Sequence, residues 1–414
     1  MTYKLTPITE AGGRFVAAAD SVIEPLRERA DAADRAGAMN RDNFVDLLAA
    51  GVTTAFLPER LGGFGLTSIH DWMAGMTRLG RGDASVAITM NMHLAVSRGL
   101  ALGYQGARAS GNEAVAGALE RQLRQIASGE MVICATATEP GTDNLHPFTE
   151  ATRTGDGWEI NGLKIFVTGS PIATHLAMNL RLPGEAEDGG DLIGSVMLPL
   201  DTPGIEPQDD WDAMGMRASG SQAVKFKGVK VPAPVVRPMG PWGIWSTAVL
   251  MNRNVANMPL LGVFLGIAEH AHELALSAAS KQAKKDKPRN ADRPGIQHTI
   301  GEMEIALAAA QAMLAQTGRY ADEFMAAHQG DALTLEAGHQ LLKNHQSMKW
   351  VVNRNAISIV DQAMSVVGGG AFMGKHPLSR LYRDVRAGPF MQPYSPTEAR
   401  EYIGKIALGI YPED

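Results

Sequence analysis

Asn161-Gly-Leu-Lys-Ile-Phe-Val-Thr168 gathers β-branched and aromatic residues into a strand-length run, and such residues suit the pleated, half-buried surface of a sheet. Around it, from about residue 131 to 235, apolar residues come in short stretches such as Trp158-Glu-Ile-Asn and Val224-Lys-Phe-Lys-Gly-Val. Asp156-Gly157, Pro203-Gly204 and Pro232 bound them, the punctuation of strands and tight turns. Outward in both directions the period becomes helical. Before it, Phe15, Ala19, Val22 and Leu26 share a face closed by Glu28, Arg29 and Asp31, and Pro58-Glu-Arg-Leu-Gly-Gly-Phe-Gly65 interrupts the pattern with turn chemistry. After about residue 245, Ile300, Met303, Leu307 and Leu314 form another such face, with alanines between them.

The expected layout is therefore helices over residues 1–130, a β-domain over 131–235 and helices over 236–414. A chain of 414 residues is long enough for two or three compact units around one large core. It is 45% hydrophobic and 20% charged with a net charge of -6, a balance that argues against an obligate nucleic-acid binder. One cysteine, Cys134, rules out an internal disulfide framework and suits a reducing cytoplasm. No uncharged apolar run reaches the roughly 18 residues that a membrane span needs, and the start of the chain does not read as an export signal. The eleven histidines show no metal-ligand spacing, so no metal is expected. Gly368-Gly-Gly370 follows no strand and lacks the G-x-G-x-x-G spacing, which speaks against a Rossmann dinucleotide site.

Four segments in order carry a resemblance: Cys134-Ala-Thr-Ala-Thr-Glu-Pro-Gly141, Asn161 to Thr168, Gly215-Met-Arg-Ala-Ser-Gly-Ser221 with Val229-Lys-Val-Pro232, and Val367-Gly-Gly-Gly370 with Leu381-Tyr-Arg-Asp384. Together they resemble the acyl-CoA dehydrogenase family of flavoproteins, including its monooxygenase-like branch. The resemblance implies an α+β multidomain fold: an α-helical amino-terminal domain, a central β-barrel and a carboxy-terminal four-helix bundle. It implies FAD, or alternatively reduced FMN or FAD taken up as a cosubstrate. Thr136, Thr138 and Thr168 would contact the isoalloxazine and Phe166 would lie against it. Gly368 and Gly369 would meet the adenosine-diphosphate part of a neighbouring subunit's FAD in a homotetramer, although Ser365 stands where relatives have Gln. Lys281, Lys284, Lys285, Lys287, Arg289 and Arg293 crowd the region where relatives carry an element that reaches the flavin diphosphate, without its Phe-Gly. Glu139 and Pro140 read as turn architecture.

The departure that matters is the base. Dehydrogenating an acyl thioester requires a carboxylate over the α-carbon while hydride passes to flavin N5. In relatives it lies nine residues after the arginine of the Arg-Asp pair, and counting from Arg383 gives Gln392. The other position that relatives use falls on Ala256, in Met251-Asn-Arg-Asn-Val-Ala-Asn-Met-Pro259. Asp143, Arg253, Asn257 and Tyr394 are the candidate substrate contacts, while Glu398 reads as a helix-start acid after Ser395. Three readings stay open. The first is α,β-dehydrogenation of an acyl-CoA, with an electron-transfer flavoprotein as acceptor. The second is a two-component monooxygenase using O2 and reduced flavin from a flavin reductase. The third is a flavin-binding scaffold without activity.

Overall fold

A computed structural model of the protein describes residues 4–281, 289–328 and 332–412. The amino-terminal helices are α1 (Glu10–Ser21), α2 (Ile23–Ala36), α3 (Asp42–Ala49), α4 (Ile69–Gly82), α5 (Ala84–Ala109) and α6 (Glu113–Ala127). The strands are β1 (Ile133–Thr136), β2 (Glu150–Thr154), β3 (Gly157–Val167), β4 (His175–Leu182), β5 (Leu192–Pro199), β6 (Ile205–Pro207), β7 (Gln222–Pro232) and β8 (Arg237–Pro241). Then follow α7 (Thr247–Asn257), α8 (Leu260–Ser280), α9 (Pro294–Ala327), α10 (Leu335–Val367), α11 (Pro377–Asp384) and α12 (Pro396–Ala407). The fold is thus helical, then a sheet, then helical, as the change of hydrophobic period indicates.

The predicted apolar faces are the buried ones. Phe15, Ala19 and Leu26 are wholly buried and Val22 nearly so, although the face crosses a break between α1 and α2. Met303, Leu307 and Leu314 are buried along α9, with Ile300 packed against them. Residues of the first and last thirds of the chain belong to one apolar core, because α8 packs on both α4 and α10. A side chain at Gly266 would meet the Thr77 carbonyl at 2.3 Å, and one at Gly262 the Met73 carbonyl at 2.5 Å. Small residues there allow α4 and α8 to approach backbone to backbone.

The strands form one sheet in the order β6-β7-β3-β2-β4-β5-β8, with β1 pairing parallel to β4. Its ends, β6 and β8, are not neighbours, so the expected barrel is open along that edge. Cys134 lies inside its separate core, where burial pushes the thiol up to about 12 and keeps it unreactive. Two features of this sheet place the site. The β1 strand ends at Thr136, so the following Ala137 and Thr138 leave the ladder at its rim. The β3–β7 register shifts between Lys164 and Val167, a bulge that turns Phe166 out of the alternation. No helix among the described residues is long and apolar enough to cross a membrane.

Candidate active site

A cavity of about 1000 Å³ lies between the sheet and the helices. Thr136, Thr138, Phe166 and Thr168 line the sheet side, α5 supplies apolar and small residues from Ile88 to Gly103, and Arg253, Ala256 and Asn257 come from α7. Arg386, Phe390 and Gln392 close it from the segment after α11.

Phe166 and Met216 are the two non-glycine residues with left-handed backbone among the described ones, at φ 55° and 54°, and both line this cavity. Each such conformation costs about 1–3 kcal/mol and is held only by its surroundings. For Phe166 those surroundings are the bulge and the ring of Trp211, edge-on with centroids 6.0 Å apart. The phenyl ring is 53% exposed, into the cavity rather than into the core. For Met216 they are the carboxylate of Asp384, which accepts its N–H at 2.6 Å, and the indole of Trp211, which donates to its carbonyl at 3.2 Å.

That contact joins two sequence motifs, Gly215 to Ser221 and Leu381 to Asp384. Gly215 makes it possible, since a side chain there would lie 2.3 Å from the Arg383 carbonyl. Arg383 in turn reaches Asp34 of α2, and Arg380 reaches Asp31 at 2.8 Å. Burial pushes the Asp384 carboxyl up to about 6, against the opposing charge of Arg380. Because the folded value exceeds the ordinary one, its contribution to stability is full below about pH 4 and is lost as pH rises through about 6. Asp384→Asn is therefore expected to flatten the decline of thermal stability over that interval in scanning calorimetry. An unchanged profile would show that another group titrates there.

The polar atoms on the sheet side are already organised. Thr136 Oγ1 donates to the Ile165 carbonyl at 2.9 Å and accepts from the Thr138 N–H at 3.2 Å, so this hydroxyl serves the wall itself. Thr168 and Ser221 hydroxyls lie 2.9 Å apart, with Ser219 a further 2.7 Å on. Gln392 spends its amide between two neighbours: Nε2 donates to Thr138 Oγ1 at 3.1 Å, and Oε1 accepts from Asn144 Nδ2 at 3.0 Å. Lys349, buried in α10, donates to the carbonyls of Met391 and Tyr394 on either side of it. Ser221 belongs to a motif already visible in the sequence. Trp211 and Asn144 had no such signal, since only the chain path brings them here.

The other candidates divide. Arg253 lines the cavity at 8% exposure, its guanidinium 4.8 Å from the centre of the Trp245 ring and its Nε without a partner. Asn257 also lines it, and donates to the Arg253 carbonyl at 2.7 Å. Asp143 and Tyr394 are not in the wall. The Asp143 carboxylate instead accepts the N–H groups of Leu145 and His146 at 2.7 and 3.0 Å. Tyr394 packs on Tyr402, and burial pushes its phenol up to about 12. Gly368 and Gly369 are exposed at the end of α10, Gly368 with φ 81°, and lie outside this wall. Of the basic cluster, Arg289 pairs with Asp292 at 3.0 Å, while Lys284, Lys285 and Lys287 lie outside the described residues.

Two further acids, Glu139 and Glu398, are also used structurally. Glu139 takes the Phe148 and Thr149 N–H groups and the Lys164 ammonium, and Glu398 caps its own helix. Among the described residues the wall carries Arg237, Arg253, Arg383 and Arg386, and no Asp, Glu, His, Lys, Tyr or Cys.

Models of the amino-terminal, middle and carboxy-terminal domains of acyl-CoA dehydrogenases match residues 15–113, 133–229 and 260–392. The chain belongs to the acyl-CoA dehydrogenase family. As an acyl-CoA dehydrogenase-like chain it is a flavin-dependent oxidoreductase. Within the family it is 33% identical over 405 residues to the amino sugar nitrososynthase DnmZ of Streptomyces peucetius, covering 97% of this chain and 95% of that protein. KijD3 in complex with FMN and dTDP-3-amino-2,3,6-trideoxy-4-keto-3-methyl-D-glucose superimposes with a TM-score of 0.89 at 31% identity, over 100% of this chain and 97% of that one. Butyryl-CoA dehydrogenase from Megasphaera elsdenii, at 22% identity and a TM-score of 0.80, covers 97% of this chain and 99% of its own, and shares the fold.

Proposed function

We propose that this chain is a flavin-dependent oxygenase that oxidises the amino nitrogen of a small anionic substrate of the nucleotide-linked amino sugar class. The observation that carries this reading is the cavity wall, which among the described residues carries four arginines and no carboxylate, imidazole, amine, phenol or thiol. Removing an α-proton from a thioester needs a general base within hydrogen-bond reach. At that place stands the Gln392 amide, both ends of which are engaged. Oxygenating an amine makes no such demand, because the nitrogen lone pair is itself the nucleophile. The similarity to DnmZ and KijD3 points the same way.

The cavity suits a flavin by its own chemistry. Phe166 and Trp211 offer an apolar face, and Thr138, Thr168 and Ser221 offer hydroxyls beside it, the two kinds of contact by which a protein tunes an isoalloxazine. When bound, reduced flavin supplies two electrons for the activation of O2. The substrate amine gains one oxygen atom as a hydroxylamine, while the second oxygen leaves as water with two protons. A second round carries the hydroxylamine to the nitroso level with two waters released. Met92, Leu100 and Met239 add apolar surface to the wall, which would help to exclude bulk water from the reacting atoms. Arg237, Arg253 and Arg386 line the cavity without an ion pair among the described residues, and would be free to meet the anionic part of the substrate. A flavin reductase would supply the reduced cofactor, and a homotetramer would bring the exposed Gly368–Gly369 of one subunit toward the next.

The test supplies reduced FMN or FAD through a reductase and measures O2 uptake with a dTDP-linked amino sugar. The expected result is substrate-dependent uptake and a hydroxylamine or nitroso product that carries oxygen from labelled O2. Anaerobic bleaching of bound flavin by acyl-CoA, with no amine product, would overturn the proposal in favour of thioester dehydrogenation.

A further inference from the structure

We propose that Gln392 is a positioning residue: its amide turns the Thr138 hydroxyl into a hydrogen-bond donor aimed at an acceptor atom of the flavin. The inference rests on this cavity's being the flavin site, and not on which substrate is oxidised there.

A hydroxyl has one proton to give and two lone pairs to receive. At Thr138 one lone pair is occupied by the Gln392 Nε2–H at 3.1 Å. An amide nitrogen cannot accept in return, so the Thr138 proton must point elsewhere, and Thr138 lines the cavity. The neighbouring hydroxyl at Thr136 is unavailable, since it donates to the Ile165 carbonyl at 2.9 Å. Thr138 is therefore the hydroxyl on this rim whose donor is left for a ligand.

The amide is held from three sides. Asn144 Nδ2 donates to its oxygen at 3.0 Å. Asn179, turned by the Lys164 ammonium on its Oδ1 at 3.1 Å, donates to the Asn144 carbonyl at 3.3 Å. Lys349 ties the backbone on both sides of Gln392 to the bundle. Asn144 is thus anchored through its carbonyl while its side-chain amide donates to Gln392, which donates in turn to Thr138, and these last two bonds can strengthen each other in a low dielectric. A carboxylate at this position would act in reverse. It would accept from Asn144 and from Thr138 alike, consume the Thr138 proton, and leave only a lone pair for the ligand.

The experiment titrates FMN into the full-length chain and follows quenching of flavin fluorescence together with the shift of the visible flavin bands. Gln392→Glu and Thr138→Val are each expected to weaken binding on the order of fivefold, as the loss of one net hydrogen bond would, with the same change in the bands. Thr138→Ser is expected to bind within about twofold of the parent, and Gln392→Met to lose less than Gln392→Glu, because without the amide the hydroxyl keeps its proton but not its fixed direction. The double variant Gln392→Glu, Thr138→Val is expected to be no weaker than Thr138→Val alone. Equal losses in the Met and Glu variants would indicate a merely structural role and overturn the proposal. So would additive losses in the double variant, or parent-like binding by Gln392→Glu. Failure of the parent chain itself to bind FMN would instead overturn the reading of the cavity on which the proposal stands.

Discussion

Replacing Glu139 by alanine is expected to lower the stability of the folded chain by about 3–5 kcal/mol, the usual loss when one member of a buried ion pair is removed. Lys164 has no exposed surface, and its ammonium lies 2.6 Å from Glu139 Oε1. Burial holds the Lys164 ammonium below its ordinary range even with the carboxylate beside it. Without Glu139 the charge would be stranded, and the Phe148 and Thr149 N–H groups would lose their acceptor as well. The sign with pH follows. A buried base with a depressed folded value destabilises the fold while protonated, so the variant should recover relative to the parent as pH rises toward about 10. Adding Lys164→Met should restore much of the loss, because a pair exchanged for apolar groups is often neutral. Urea unfolding of the single and double variants measures both. A loss below about 1 kcal/mol in the single variant would mean that water reaches Lys164.

Arg253→Met is expected to weaken binding of a diphosphate-bearing substrate on the order of ten- to a hundredfold, since a hydrogen bond to a charged group contributes about 1.5–3 kcal/mol. The guanidinium is 8% exposed, stacked on Trp245, and without an ion pair among the described residues. A buried cation left unpaired by the protein is held at the expense of stability, which is reasonable if a ligand completes it. Removing it should therefore leave thermal stability unchanged or raise it. Arg253→Lys should not restore binding, because an ammonium lacks the planar fork that matches phosphate. Michaelis constants for an anionic and a neutral substrate analogue decide the matter. An equal loss for both would assign Arg253 to packing alone.

The reading of Glu139 as turn architecture agrees with its hydrogen bonds, and Glu398 starts its helix with the box that Ser395 and Glu398 spell. Phe166 was legible as a cavity residue only through resemblance. In an ordinary strand its alternation with Val167 would carry no such meaning, and the bulge after Lys164 is what frees it. Asp143 and Arg253 both bear charge, yet the first is spent on its own turn and the second faces the cavity. Charge and spacing do not distinguish those cases, since which backbone N–H lies near a carboxylate depends on the path of the chain.

From the residues alone came the order of helices, sheet and helices and the buried faces of α1, α2 and α9, because period is a local property, and the family resemblance added the amide at position 392 where relatives carry a carboxylate. What only the folded chain decided was the use of that amide. Thr138 and Asn144, Lys349, and Gln392 come from three separate stretches of the chain and meet at the rim of the sheet. A hydrogen bond has reach and direction but no sequence signature, so the partner of a side chain is settled by where packing puts the backbone.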